Sequence, residues 1–213
     1  MSESLMAVGL TPYQLRFCPA SYLHEEHFPA SWRWLQASVP EWRTLPACNQ
    51  ALLDELALAI DYELPAQLGG LALFPAEALA SVLRQLGAVL HGEAIRHCLQ
   101  APVLRQIIAV LGEEGHRSLL ARLDLLIGPW PAGWQQPLPA TLDSASLEAA
   151  GLGFWLAAAG AAHPAWARRL ALRLPVSPLR PGWSLADAEL PLARALCLKI
   201  AKQVTPQCCH LLK

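Results

Sequence analysis

His91, Glu93, His97 and Cys98 are the side chains whose types and closeness first suggest chemistry. Glu93 and His97 are four residues apart and share one face of a helix; His91 and His97 are six apart and do not. A zinc-protease helix needs its histidines at i and i+4 with the glutamate beside the first. That spacing is absent, so zinc here requires ligands recruited from elsewhere in the chain. His24 and His27 flank Glu25 and Glu26 and read as a solvated helical turn. Cys208, Cys209 and His210 lie near the C-terminus, where adjacent cysteines chelate one metal poorly and no CxxC completes a site. CCHLL is expected to tuck Leu211 and Leu212 onto the body. Asp61 and Glu63 form a carboxylate pair with nothing beside them to raise one pKa. Phosphate-loop, dinucleotide and serine-elbow glycine motifs are missing. The sequence thus predicts no cofactor, no metal and no catalytic residue.

Composition narrows the classes further. Of 213 residues, 54% are hydrophobic and 15% are charged, against a usual charged share of about a quarter. Such a chain buries a large core and has surface to cover against partners. A net charge of −1 without a basic stripe argues against nucleic acid. No apolar run of spanning length is free of breakers; the nearest, Ala149–Ala162, is too short, so no membrane insertion is expected. No secretory signal is read at the N-terminus, and the expected location is the cytosol. The six scattered cysteines then read as reduced, mostly buried thiols.

The elements that must position these residues all read as helices. Expected spans are Ala30–Val39, Ala47–Ile60, and a long pattern from Pro75 that His91-Gly92 kinks before Glu93–Gln100. Pro102–Leu111 and Glu113–Leu126 follow, separated by Gly112. Asp143 or Ser144 caps a helix to about Ala159, with Glu148 expected in its first turn to meet the macrodipole. Ala165–Leu174 and Pro191–Val204 complete the set. Met1–Leu10 reads as a loose start, Asp61–Gly70 and Pro175–Gly182 as loops. The expected fold is all-α: one compact, irregular domain over residues 1–213, of about eight to ten helices with Pro/Trp-rich connections, and with a subdivision conceivable near 128–141.

Two stretches are distinctive: LLIGPWPAGWQQPLP (Leu125–Pro139) and LRFCPASYLHEEHF (Leu15–Phe28). The first sets two tryptophans among four prolines and two glycines, a stiff loop with large aromatic area and no titratable group. That suits docking rather than proton transfer. Trp130, Trp134, Arg168 and Arg169 are therefore the expected exposed partner contacts, arginine with tryptophan being common hot-spot chemistry. Replacing both loop tryptophans by alanine is expected to weaken partner binding without unfolding.

LRFCPASYLH, LLDELALAIDYELP, LGAVLHGEAIRHC, the Trp/Pro loop, GLGFWLAAA, RLALRLP and CLKIAKQVTPQCCHLLK, in this order from about Gln14 to Lys213, resemble the K subunit of bacterial type III secretion injectisomes (the YscK/PscK type). The resemblance implies a non-enzymatic adaptor of the cytosolic sorting platform. It would link the cytoplasmic domain of the inner-membrane ring D subunit to the C-ring-like Q subunit, and through Q to the L stator and the N ATPase. It would sit in the cytoplasm, peripheral to the inner-membrane base. The rivals are a secretion chaperone, a class that is typically shorter, acidic and mixed α/β, and a metal- or thiol-dependent protein using His91, Glu93, His97 and Cys98.

Overall fold

Prolines write most of the helix starts. A proline at the first helical turn loses nothing, because its missing N–H would be unpaired there anyway. In the computed structural model, which describes residues 9–176 and 182–212, six helices begin this way. The described helices are α1 Pro12–Phe17, α2 Pro19–Tyr22, α3 Arg33–Ser38, α4 Pro46–Glu55, α5 Ala76–Leu90, α6 Gly92–Arg96, α7 Ala101–Arg122, α8 Ser144–Ala159, α9 Pro164–Leu172 and α10 Leu190–Val204, joined in part by 3-10 turns. No strand occurs among the described residues, and the fold is all-α. The loose start over Met1–Leu10 and the loop over Pro175–Gly182 fall largely outside the described residues.

Two boundaries differ from expectation for physical reasons. α4 stops at Glu55, not Ile60, because Ala57 takes a left-handed φ of +46°. Leu58 N–H then donates to Leu53 C=O (2.8 Å) and Ala57 N–H to Asp54 C=O (3.1 Å). This is a Schellman closure with alanine where glycine is usual. Glu148 is not in the first turn of α8. The N-cap is Asp143, bonded to Ser146 N–H at 2.7 Å, while Glu148 is buried and ion-paired to Arg84 (2.6 Å) on α5.

The chain divides into two compact units. The first comprises residues 1–79, 161–176 and 211–213. Leu23, Phe28, Trp42, Leu52, Leu53 and Leu172 belong to its core cluster. α9 is its hub. Trp166 donates to Gly69 C=O (3.0 Å), and fully buried Arg169 donates to the carbonyls of Leu15 (3.0 Å) and Arg16 (3.2 Å). Arg173, at the C-cap, donates to Ala72 and Phe74 C=O, each at 2.7 Å. In the same unit Leu212 is buried and the Leu211 carbonyl lies against Gly70.

The second unit comprises residues 80–160 and 177–210, and includes the whole of the Leu125–Pro139 loop. α8 is apolar on all sides because it is enclosed: ten of its sixteen residues are buried. It packs against α10, where Arg194 Nε donates to Ala158 C=O at 3.0 Å, near the helix's own end. Against α5 it comes so close that glycine is required on both sides. A Cβ on Gly87 would collide with the Leu147 carbonyl, and one on Gly151 with the Leu83 carbonyl.

This contact fixes the sign of a glycine scan. Gly151→Ala should lower unfolding stability by about 1–3 kcal/mol or more, since the collision is with backbone. Gly115→Ala, in α7 with only an ordinary 3.6 Å neighbour, should raise it by up to about 1 kcal/mol. Chemical denaturation of the two variants checks both signs.

Candidate partner-docking site

The Trp/Pro loop is held at the break between α5 and α6, where helix ends leave carbonyls and amides without internal partners. Gln135 Nε2 donates to Val89 C=O (3.0 Å), and its Oε1 accepts from Glu93 N–H (2.9 Å). Gln136 N–H donates to Leu90 C=O (2.8 Å), and His91 Nδ1 donates to Gln136 C=O (3.3 Å). Lys199 Nζ binds the Leu125 and Leu126 carbonyls at 2.7 and 2.9 Å, fixing the loop's entry. The glutamine pair, unremarkable in sequence, is thus what seats the loop.

The four expected contacts divide evenly. Trp134 is only 2% exposed; its ring meets Phe154 edge-on at 4.9 Å, and Phe154 meets Trp183 likewise at 5.0 Å. Arg169 is 0% exposed. The expectation that these two are exposed is therefore corrected: Trp134 is core and Arg169 is an internal hydrogen-bond donor. Neighbours on a helix point about 100° apart, so the doubled arginine sends Arg168 outward and Arg169 inward. Trp130 remains partly exposed and Arg168 exposed. Among the described residues, the indole N–H groups of Trp130, Trp134 and Trp183 are buried and find no acceptor.

The histidine–glutamate constellation does not converge. His91 is buried and turned to the loop, while His97 is exposed and pairs loosely with Glu93 (3.6 Å), which also meets Arg96 (3.3 Å). Arg96 is also paired with Asp124 at 3.0 Å. His24 caps the turn Glu25–His27, and His27 Nε2 donates to Leu174 C=O (2.9 Å). Asp61 and Glu63 are exposed. Cys208 is buried and burial pushes its thiol pKa up, whereas Cys209 is part-exposed. Among the described residues no three His, Cys, Asp or Glu side chains gather as metal ligands.

The first unit carries a surface feature that sequence reading passed over. Ser31, Trp32, Trp34, Leu35, Ala47 and Cys48 line an open hollow of about 320 Å³. Trp34 is 65% exposed on its wall. Two residues apart on one regular helix, Trp32 and Trp34 would point to different faces. The change from a 3-10 turn (Ala30–Trp32) to α3 at Arg33 alters the angle between them, and both line the hollow. Two tryptophans spaced by one residue just after a proline were the available signal.

The profile of the family described as "YOP proteins translocation protein K (YscK)" matches residues 9–213. The chain belongs to this family. Among its YscK-family relatives, the Yop proteins translocation protein K of Yersinia pseudotuberculosis serotype I (strain IP32953) is 48% identical over 98% of this chain and all of that one. The Yersinia enterocolitica protein of the same name is 47% identical with the same coverage. The solved cytoplasmic domain of PscK, a T3SS sorting platform protein from P. aeruginosa, is 43% identical with a TM-score of 0.78. It covers 95% of this chain and 99% of its own.

The His91–Gln136 bond that helps seat the loop gives this YscK-family chain a pH dependence. Burial holds the His91 pKa below the ordinary imidazole value, opposed by its hydrogen bonds to the Pro137 and Gln136 backbone. Unfolding returns it to about 6.5, so below that pH the unfolded chain binds more protons. The His91 contribution to stability is therefore complete above about pH 6.5 and declines as pH falls toward the lower folded-state pKa. The denaturation midpoint of the wild type should fall over this window. That of His91→Asn, whose amide can still donate to Gln136, should fall less; equal slopes would contradict the assignment.

Proposed function

We propose that this chain is a non-enzymatic adaptor of the type III secretion sorting platform. It works in the cytoplasm, peripheral to the inner-membrane base of the injectisome. It joins the cytoplasmic domain of the inner-membrane ring D subunit to the C-ring-like Q subunit, and so indirectly to the L stator and the N ATPase. The observation that carries the reading is the near full-length likeness to PscK, a sorting platform protein. The physical features that support it are a rigidly seated aromatic loop and an exposed aromatic hollow. No described helix is long and apolar enough to cross a membrane. Trp130 and Arg168, the two expected contacts with exposed surface, remain proposed partner contacts.

Co-purification of the tagged chain with the D-subunit cytoplasmic domain and with the Q subunit, followed by light scattering, tests the bridge. A stable complex containing all three is expected. Trp130→Ala and Arg168→Glu should each weaken one of the two associations by about tenfold without loss of helicity. Failure of the wild type to bind either subunit would overturn the adaptor reading.

A further inference from the structure

The first unit pairs its aromatic rings with guanidinium groups. Arg43 lies 4.5 Å over the Trp42 ring, Arg169 4.5 Å over Tyr62, and Arg16 5.3 Å over the same ring. Among the described residues no ring or cation packs on Trp34, although its indole is the most exposed tryptophan face of the unit. The hollow beside it has apolar walls from Trp32, Leu35 and Ala47. At its rim Ser31 Oγ lies 3.5 Å from Glu55 Oε1, which sets an exposed carboxylate beside the aromatic wall.

Exposed carboxylates outnumber exposed cations in this unit, although the exposed Arg33 lies between Trp32 and Trp34. All eight carboxylates of the unit's described residues are exposed: Glu25, Glu26, Glu41, Asp54, Glu55, Asp61, Glu63 and Glu77. Of its six described arginines, Arg16, Arg43, Arg169 and Arg173 are engaged with backbone carbonyls. Only Arg33 and Arg168 are exposed. The Glu55 carboxylate at the rim and the excess of exposed carboxylates over exposed arginines in the unit favour a cationic occupant over an anionic one.

We propose that the hollow receives an arginine or lysine side chain that a segment of a partner protein presents beside an apolar residue. The cationic group lies over the Trp34 face and reaches the Glu55 carboxylate, while the apolar neighbour packs against Trp32, Leu35 and Ala47. This rests on the adaptor reading and adds to it the chemistry of one contact.

The direct test is a titration of the full-length chain with two peptides, acetyl-Leu-Arg-Leu-amide and acetyl-Leu-Glu-Leu-amide, followed by indole N–H NMR. The Trp34 signal is identified by its loss in Trp34→Phe. The arginine peptide should shift that signal saturably, more weakly at physiological than at low salt and more weakly in Glu55→Gln; the glutamate peptide should leave it in place. No shift, or equal shifts with both peptides, would overturn the proposal. A second arm measures binding to whichever platform subunit the wild type captures. Trp34→Ala and Glu55→Lys, both at exposed positions, should each weaken it by about tenfold or more. If both variants bind as the wild type does, the hollow is not the contact and the adaptor reading stands. If the wild type captures neither subunit, the adaptor reading falls and the peptide titration still decides the hollow. A dimer that is lost in Trp34→Ala would assign the face to self-association and overturn the proposal.

Discussion

Arg169 and Arg173 donate to the carbonyls of Leu15, Arg16, Ala72 and Phe74, from two stretches of chain far apart in sequence. The need for them follows from the local structure. α1 has six residues and the Gly69–Leu73 turn is 3-10, so both end with carbonyls that no helix of their own can satisfy. A sheet would pair such groups; a fold of short helices must use side chains. A guanidinium suits the task because it carries five donors in a rigid plane and stays charged when buried. Burial pulls the Arg173 pKa down only to about 10, so it remains a cation at neutral pH. Removing Arg173 takes the side-chain donor from the Ala72 and Phe74 carbonyls; removing Arg169 takes it from Arg16 and leaves Leu15 C=O with the Tyr22 hydroxyl (3.1 Å), and either loss also leaves a void.

The same device recurs at smaller scale. Arg43 donates to Ala20 (2.7 Å) and Leu23 (3.3 Å), and Asn49 accepts from Ala20 N–H at 3.0 Å. These bonds tie α2 to the Trp42–Thr44 turn and to α4, whose Ala47 and Cys48 line the hollow. In the second unit the paired glycines set the α5–α8 approach, and the Gln135–Gln136 pair seats the Trp/Pro loop. Both surfaces offered for docking thus stand on fixed backbone. Preorganised aromatic groups lose little entropy on binding, which is how a modest area can hold a partner.

Sequence reading succeeds where one residue decides a local event. Asp143 announces α8, His91-Gly92 the break after α5, and Gly112, with φ +73°, the non-helical point inside α7. It fails where a distant contact decides. Ala57 carries no sign that it will turn left-handed; the closure is driven by Leu58 and Leu53 meeting in the core. Trp134 and Trp130 share one loop, yet only the Phe154 contact tells which is core. Arg168 and Arg169 look like one basic patch until the carbonyls of Leu15 and Arg16 claim the second. Family membership was legible because many ordered segments agree at once, whereas a binding surface is a property of few residues.

Amide hydrogen exchange on an Arg169→Lys/Arg173→Lys variant tests whether the buried guanidinium groups hold the first unit together. An ammonium keeps the charge but cannot span two carbonyls in one plane. Protection should fall in α1 and around Gly69–Leu73 while the amides of α8 and α10 keep theirs. Unchanged protection in α1 and Gly69–Leu73 would contradict this role, and would mean that packing alone holds the first unit together.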